Sequence, residues 1–152
     1  MKIKIVFVQG SFRLGGGERQ ILYLLKFIDR DKFEPILISL TSEGPLFKEV
    51  PHDIKFFDLK GIGQNKLFKL WKLYRLISAI KPRIVYSNLA GTNIQLALIR
   101  FLTKPFWNKT QFIISVVNNI NYYKPSIKKL SNLLYPKMDY ILACATGLYD
   151  QL

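Results

Sequence analysis

The chain has little of what metal centres and disulfides need. Of its 152 residues, one is cysteine, Cys144, and one is histidine, His52. A lone cysteine cannot form an internal disulfide, which agrees with a reducing compartment, and Cys144 reads as a buried strand thiol rather than a nucleophile. One His, one Cys and scattered carboxylates give no ligand spacing, so neither a metal nor a resident cofactor is expected. Long apolar runs are also missing. The run before Gln9 is about five residues, too short for a signal-peptide core. No other stretch approaches the roughly 18 apolar residues that cross a bilayer, and the longest helical candidate, near 93–102, contains Gln95 and Arg100. Finally, there is no Asp or Glu anywhere in 60–138, which leaves that stretch without the carboxylate pairs of glycoside hydrolysis. Lysine and arginine crowd the same stretch, and the formal net charge is +13. A surface of one sign attracts polyanions, whether anionic lipid headgroups, a phosphorylated substrate or nucleic acid.

What is present is a regular alternation. Ile3, Ile5, Val6, Phe7 and Val8 form a nearly continuous apolar run, the pattern of a buried parallel strand. A loop with Arg13 and the glycines Gly15, Gly16 and Gly17 follows, and then Ile21, Leu24, Leu25 and Ile28 show the spacing of a helix with one buried face. Further strands are expected at 34–40, 54–59, 83–87, 111–117 and 140–144, the second carrying Pro35 at its start and the third closed by Gly61 and Gly63. Helices are expected from 65 to 80, stopped by Pro82, from Thr92 or Asn93 as cap with Ile94, Ala97, Leu98 and Phe101 on one face, and from Pro125 or Ser126. Strand–helix alternation of this kind specifies an α/β, Rossmann-like, doubly wound parallel sheet with helices on both faces and right-handed crossovers. Nothing divides it, so 1–152 reads as a single domain. Residues 145–152 read as a loop, an N-cap at Thr146 and barely one turn of helix, and a helix that short has little stability. The expectation is a chain cut before a further segment.

Several residues admit two readings. A dinucleotide fingerprint needs G-x-G-x-x-G, and Gln20 stands at its third glycine, which disfavours NAD. Glycines alone can make a strand-to-helix turn, but three in a row argue for close approach of a ligand to backbone. At the start of a helix on the carboxyl edge of a parallel sheet, such a loop favours anions. Glu18 suits the first turn of its helix as a dipole partner, at least as well as it suits a ligand. His52, between Pro51 and Asp53, reads as a surface turn residue. The stretch 65–81 sets Lys69, Lys72 and Arg75 along a basic stripe with Phe68, Trp71 and Tyr74 between them. Lys69, Trp71, Lys72 and Arg75 fit a helix lying on a membrane surface; a covering helix with a basic solvated face fits them equally.

The opening Met-Lys-Ile-Lys-Ile-Val-Phe-Val and the loop Leu14-Gly-Gly-Gly-Glu-Arg-Gln resemble the start of the retaining GT-B glycosyltransferases of family 4, whose usual loop is Gly-Gly-Ala-Glu-Arg. Lys81-Pro-Arg-Ile-Val-Tyr-Ser-Asn-Leu is similar to that family's Lys-Pro-Asp-Ile-Val-His-Ser-His. Ile113-Ile-Ser-Val-Val-Asn-Asn and Tyr140-Ile-Leu-Ala-Cys-Ala-Thr-Gly-Leu resemble two later stretches in the same order. The resemblance covers the whole chain and implies the N-terminal, acceptor-side half of a two-domain enzyme. It implies that Gly15, Gly16 and Gly17 meet the phosphates of a sugar-nucleotide donor, used as substrate rather than cofactor. It also implies that Arg13, Asn88, Asn118 and Asn119 lie toward a saccharide or lipid-linked acceptor. Many relatives carry a His where this chain has Tyr86, Asn88, Asn118 or Asn119, and Asn cannot act as a general base, so the catalytic residue is unassigned. The C-terminal donor-binding half with its paired glutamates is not in this sequence, and the segment alone is expected to lack turnover.

The reading is an acceptor-side glycosyltransferase domain in polysaccharide or glycolipid assembly, cytoplasmic and peripheral at the inner face of an anionic membrane. The rival is a non-catalytic membrane-docking or binding subunit that needs a partner chain. Nucleic-acid binding is the weakest version, since no recognition motif accompanies the charge.

Overall fold

The computed structural model describes residues 2–60, 65–103, 107, 109–117 and 123–144. The expected Gly61 and Gly63, Asn118 and Asn119, and the tail from 145 with Thr146 lie outside the described residues. Within them the chain runs β1 (Ile3–Gln9), α1 (Gly16–Phe27), β2 (Phe33–Ser39), a short 3-10 turn (Pro45–Glu49), β3 (Lys55–Asp58) and α2 (Lys66–Ile80). It continues as β4 (Ile84–Ser87), α3 (Ala90–Thr103), β5 (Gln111–Val116), α4 (Pro125–Leu134) with a 3-10 turn at Tyr135–Lys137, and β6 (Tyr140–Ala143).

All five strand pairings are parallel and the order is β3-β2-β1-β4-β5-β6. This is the doubly wound sheet that the alternation calls for. Alternate residues of each strand feed two cores. Val6, Val8, Ile36 and Ile38 pack with Leu73 and Ile77 of α2 and Leu96 and Ile99 of α3 on one face. Ile5, Phe7 and Leu37 pack with Ile21, Leu22 and Leu25 of α1 on the other. Pro35 is tolerated because its strand pairs only with β1 at that level; pairing with β3 begins at Ile36.

Helix starts and faces differ from the spacing-based expectation. α1 begins among the glycines, with Gly15 as N-cap, and buries Glu18, Ile21, Leu22 and Leu25; Leu24 is exposed and Ile28 has left the helix as its C-cap. α3 begins at Ala90, so neither Thr92 nor Asn93 is its cap. The buried face of α3 is Leu96, Ala97, Ile99, Arg100 and Thr103, with Phe101 exposed. Tertiary partners decide this. Asn93 accepts from Ser87 Oγ at 2.6 Å and donates to the Ser115 carbonyl at 2.9 Å, which binds α3 to both β4 and β5. Those buried bonds outweigh a cap's local preference. Arg100, an expected interruption, is buried against Asp139 at 2.5 Å, and Asp139 also accepts from the Phe112 amide at 2.8 Å. α2 keeps its expected bounds: Asn65 accepts from the amides of Leu67 and Phe68, and Lys81, at φ 51°, ends the helix in the left-handed region.

Cys144 is not a buried strand thiol. β6 ends at Ala143 and Cys144, just beyond it, is exposed, with Gln20 Nε2 of α1 donating to its Sγ at 3.8 Å.

Candidate functional site

In this strand order β1 is flanked by β2 and β4, and the crossover from β3 to β4 reverses the direction in which the sheet grows. The carboxyl ends of β1 and β4 therefore border the crevice where open α/β sheets take ligands. The residues that end these strands, and the first turn of α1 above them, form the candidate site.

Glycine sets how closely α1 sits on that crevice. A Cβ at Gly17 would lie 2.9 Å from Leu89 Cδ2, so glycine lets the helix approach the β4–α3 turn without displacing the leucine side chain. A Cβ at Gly15 would run into the carboxylate of Glu18, which folds back over the helix start. Gly16 differs: nothing lies within 4 Å of its Cβ position. A side chain at Gly15 or Gly17 would have to displace Glu18 or Leu89, whereas Gly16 alone of the three faces open space. Gly15 brings no side-chain acceptor as N-cap, no hydrogen bond caps the first-turn amides among the described residues, and the Glu18 carboxylate lies beside Gly15 as the nearest negative charge. Uncapped amides and the helix dipole favour negative charge, which Glu18 supplies in part and a ligand anion reaching past Gly16 would supply further.

Asn88 holds the arrangement from below. It is 1% exposed, and its Nδ2 donates to the Gly17 carbonyl at 2.7 Å and to Gln20 Oε1 at 2.8 Å. A carbonyl only accepts, which fixes the orientation of the amide. Asn88 Oδ1 is then a buried acceptor with no donor among the described residues. Gln9, ending β1, donates from Nε2 to the Ser11 carbonyl at 3.0 Å and leaves a second buried acceptor, Oε1, without a donor. A buried polar atom left in this state costs free energy until a donor arrives. Phosphate oxygens cannot supply one, whereas hydroxyl groups can. The crevice thus sets an uncapped helix start beside two buried amide oxygens, of Asn88 and Gln9, that have no donor among the described residues.

The loop before α1 is pinned from the other side. The Phe12 amide donates to the Glu43 carbonyl at 2.7 Å and the Leu46 amide to the Phe12 carbonyl at 3.1 Å. Gly44, at φ 121°, makes this approach possible, since a Cβ there would overlap the backbone of Phe12. Arg13 follows directly and is exposed. On β4, burial pushes the Tyr86 phenol above its usual range, opposed by its hydrogen bond with Ser115. Ser115 Oγ in turn lies 3.1 Å from Cys144 Sγ. Tyr123 packs into the core on the far face, where burial pushes its phenol up to about 12. His52 is exposed in its turn.

The structure brings Gly15, Gly16, Gly17 and Asn88 together, with Arg13 on the adjoining loop. It adds Gln9 and Gln20, which sequence reading passed over. Gln20 carried a signal, a polar side chain where a dinucleotide site would have its third glycine. Gln9 carried none beyond ending a strand. The remaining candidates, Lys69, Trp71, Lys72 and Arg75, lie on α2, which packs on the sheet face opposite α1.

No family model matches the chain. A curated relative does, with 30% identity over 156 residues covering 93% of this chain and 41% of the relative. It is the N-acetylgalactosamine-N,N'-diacetylbacillosaminyl-diphospho-undecaprenol 4-alpha-N-acetylgalactosaminyltransferase of Campylobacter jejuni. The chain spans about two-fifths of that relative's length. Among solved structures, the lipopolysaccharide outer core galactosyltransferase WaaB superposes with a TM-score of 0.69 at 14% identity, covering 98% of this chain and 41% of WaaB. Anabaena Alr3699/HepE in complex with UDP and glucose gives 0.70 at 14% identity, covering 98% and 40%. The fold is the one these glycosyltransferases contain. A short-chain dehydrogenase/reductase of Veillonella parvula with NADP gives 0.54 at 12% identity over 92% of this chain and 68% of its own. Likeness at such identities shows architecture alone, so the ligand must be argued from the crevice.

Proposed function

We propose that this chain is the acceptor-side half of a retaining, family 4 glycosyltransferase that moves a sugar from a nucleotide-sugar donor to a saccharide or lipid-linked acceptor. The observation that carries the reading is the pairing of free donors with free acceptors at one crevice. The open first turn of α1 suits a diphosphate, and the buried oxygens of Asn88 and Gln9 suit sugar hydroxyls. Identity to a transferase acting on a diphospho-undecaprenol substrate supports the lipid-linked acceptor.

In this mechanism the amides at Gly16 and Gly17 stabilise the charge developing on the leaving nucleoside diphosphate. Asn88 positions them through the Gly17 carbonyl. The catalytic residue is unassigned; Asn88 and Gln9 are amides and cannot act as a general base. The donor-binding half is a second domain or a separate chain, and the complete enzyme works at the cytoplasmic face of a membrane in polysaccharide or glycolipid assembly.

Amide chemical shifts recorded during titration with UDP, a UDP-sugar and NADP test this. The expected result is a set of shifts confined to Gly15–Gly17, Gln20 and Asn88 with the uridine ligands. Tighter binding of NADP at the same amides, or uridine shifts on another surface, overturns it.

A further inference from the structure

We propose that Glu18 is a specificity-determining residue of the crevice: its carboxylate stands in for a phosphate at the start of α1, and an anion binds there only by displacing it. This rests on the phosphate part of the reading above and names what sets its selectivity.

Glu18 differs from the other acids of the chain. Glu49, Asp53, Asp29 and Glu43 lie at the surface, paired with Lys26, Arg30, Lys32 and Lys60. Asp139 holds Arg100. Glu18 alone is buried among the described residues, at 9% exposure, and its carboxylate has neither a hydrogen bond nor an ion pair there. A carboxylate this far out of water without a partner is costly, so something must offset it. The offset lies on its own helix. With Gly15 as N-cap, Glu18 is the third residue of α1, from which a glutamate can reach back over the helix start. Its carboxylate does so, beside the Cβ position of Gly15, without closing a hydrogen bond. The carboxylate therefore meets the helix as a charge meets a dipole.

That position is the one the first-turn amides offer to a phosphate, and two anions do not share it easily. The amino end of a helix carries about half an elementary charge, which one carboxylate already answers. A second anion about 4 Å away meets repulsion that water, largely excluded here, does little to screen. Exchange is open on one side, because nothing lies within 4 Å of the Cβ position of Gly16. A ligand entering there leaves Glu18 to turn outward. A lone phosphate gains from the amides about as much as Glu18 loses by leaving them. A sugar nucleotide brings more, since its hydroxyls can donate to the buried oxygens of Asn88 and Gln9. The carboxylate thus raises the threshold for every anion and admits the one that has further groups to bind by.

Amide-shift titration of the whole chain with inorganic pyrophosphate, and separately with neutral methyl α-glucoside, tests this. Glu18→Gln removes the charge at nearly constant shape, and pyrophosphate affinity at the amides of Gly15, Gly16 and Gly17 should rise about tenfold. Glu18→Ala should gain as much, although it has no side-chain amide to donate to phosphate. Glu34→Gln makes the same change of net charge near the amino end of β2, at the other edge of the sheet, and should leave the affinity unchanged. Methyl glucoside should not distinguish the four proteins, and amide spectra unaltered beyond the start of α1 should show that the variants fold. Unchanged or weaker pyrophosphate binding in the Glu18 variants overturns the proposal, as does a gain in Glu18→Gln alone or an equal gain in Glu34→Gln. So does the absence of pyrophosphate shifts at these amides in every protein. A UDP-sugar that binds elsewhere while the pyrophosphate gain stands sinks the transferase reading and leaves the role of Glu18. A UDP-sugar that binds at the crevice without that gain sinks the role of Glu18 alone.

Discussion

Asn88 reaches from the end of β4 and donates to the carbonyl of Gly17 at 2.7 Å, so one buried side chain ties the central strand of the sheet to the first turn of α1. The second proton of the same amide goes to Gln20 Oε1 at 2.8 Å. The crevice is therefore prebuilt by protein bonds, and its glycine turn cannot move without breaking them.

Asn88→Asp tests that tie. An ionised carboxylate has no proton for either acceptor, and it would leave the Gly17 carbonyl unpaired in a buried place. Loss of one buried bond with its partner stranded costs about 1–3 kcal/mol, and a buried charge adds to this. Thermal unfolding should show the loss, and Asn88→Asp should fall further than Asn88→Ser, which keeps a donor.

The sheet and its order of elements are legible in the sequence because apolar strands alternating with helices report tertiary burial directly. Thr92, Asn93 and Leu24 show where such reading stops. Asn93 has the local preferences of a cap, but distant partners on β4 and β5 draw it inside the helix. Leu24 satisfies helical spacing, but α1 packs Ile21, Leu22 and Leu25 against Ile5, Phe7 and Leu37 of the sheet and leaves Leu24 outside that core. At the site the glycines were visible as a cluster. That Gly17 approaches Leu89 while Gly16 faces open space depends on a distant neighbour that no local pattern encodes.

The buried pair of Arg100 and Asp139 makes a second prediction. Arg100→Met leaves Asp139 without its cation at the start of β6, and breaking such a pair costs about 3–5 kcal/mol. Asp139→Asn should cost less than Asp139→Ala, because it keeps an oxygen for the Phe112 amide. Urea titration of the three variants checks the order.

Gly44→Ala should be destabilising out of proportion to its size. The position has φ 121°, and the added methyl would meet the backbone of Phe12. Strained backbone costs about 1–3 kcal/mol before any clash is counted. Because Phe12 precedes Arg13, amide shifts should change along 12–17 as well as at the substitution.

Acid should loosen the packing of α1 against the 3-10 turn at Pro45–Glu49. The hydrogen bond from Lys26 holds Glu49 below its ordinary 4.5, and that from Arg30 holds Asp53 below its ordinary 3.8. A carboxylate whose pKa is lowered in the folded state adds stability above its unfolded value and loses it as pH falls through the folded one. Melting temperature should therefore decline as pH falls below about 4.5, and Glu49→Gln with Asp53→Asn should flatten that decline. Both side chains are largely exposed, so added salt should weaken the effect.

Gly16→Ala separates turn-making from ligand approach. Gly16 lies in the first turn of α1, nothing is within 4 Å of its Cβ position, and its φ is not positive. Alanine is a better helix former and narrows the unfolded ensemble, so the folded protein should gain about 0.4–1 kcal/mol. A glycine present only to make the turn would leave ligand affinity unchanged. A glycine that lets a diphosphate reach the backbone amides would not, because the new methyl occupies the approach itself. The expected outcome is a higher melting temperature together with at least tenfold weaker binding of a UDP-sugar, measured on the same sample by thermal denaturation and calorimetric titration. Higher stability with unchanged affinity would remove Gly16 from the site and leave the anion to the amides of Gly17 and Glu18.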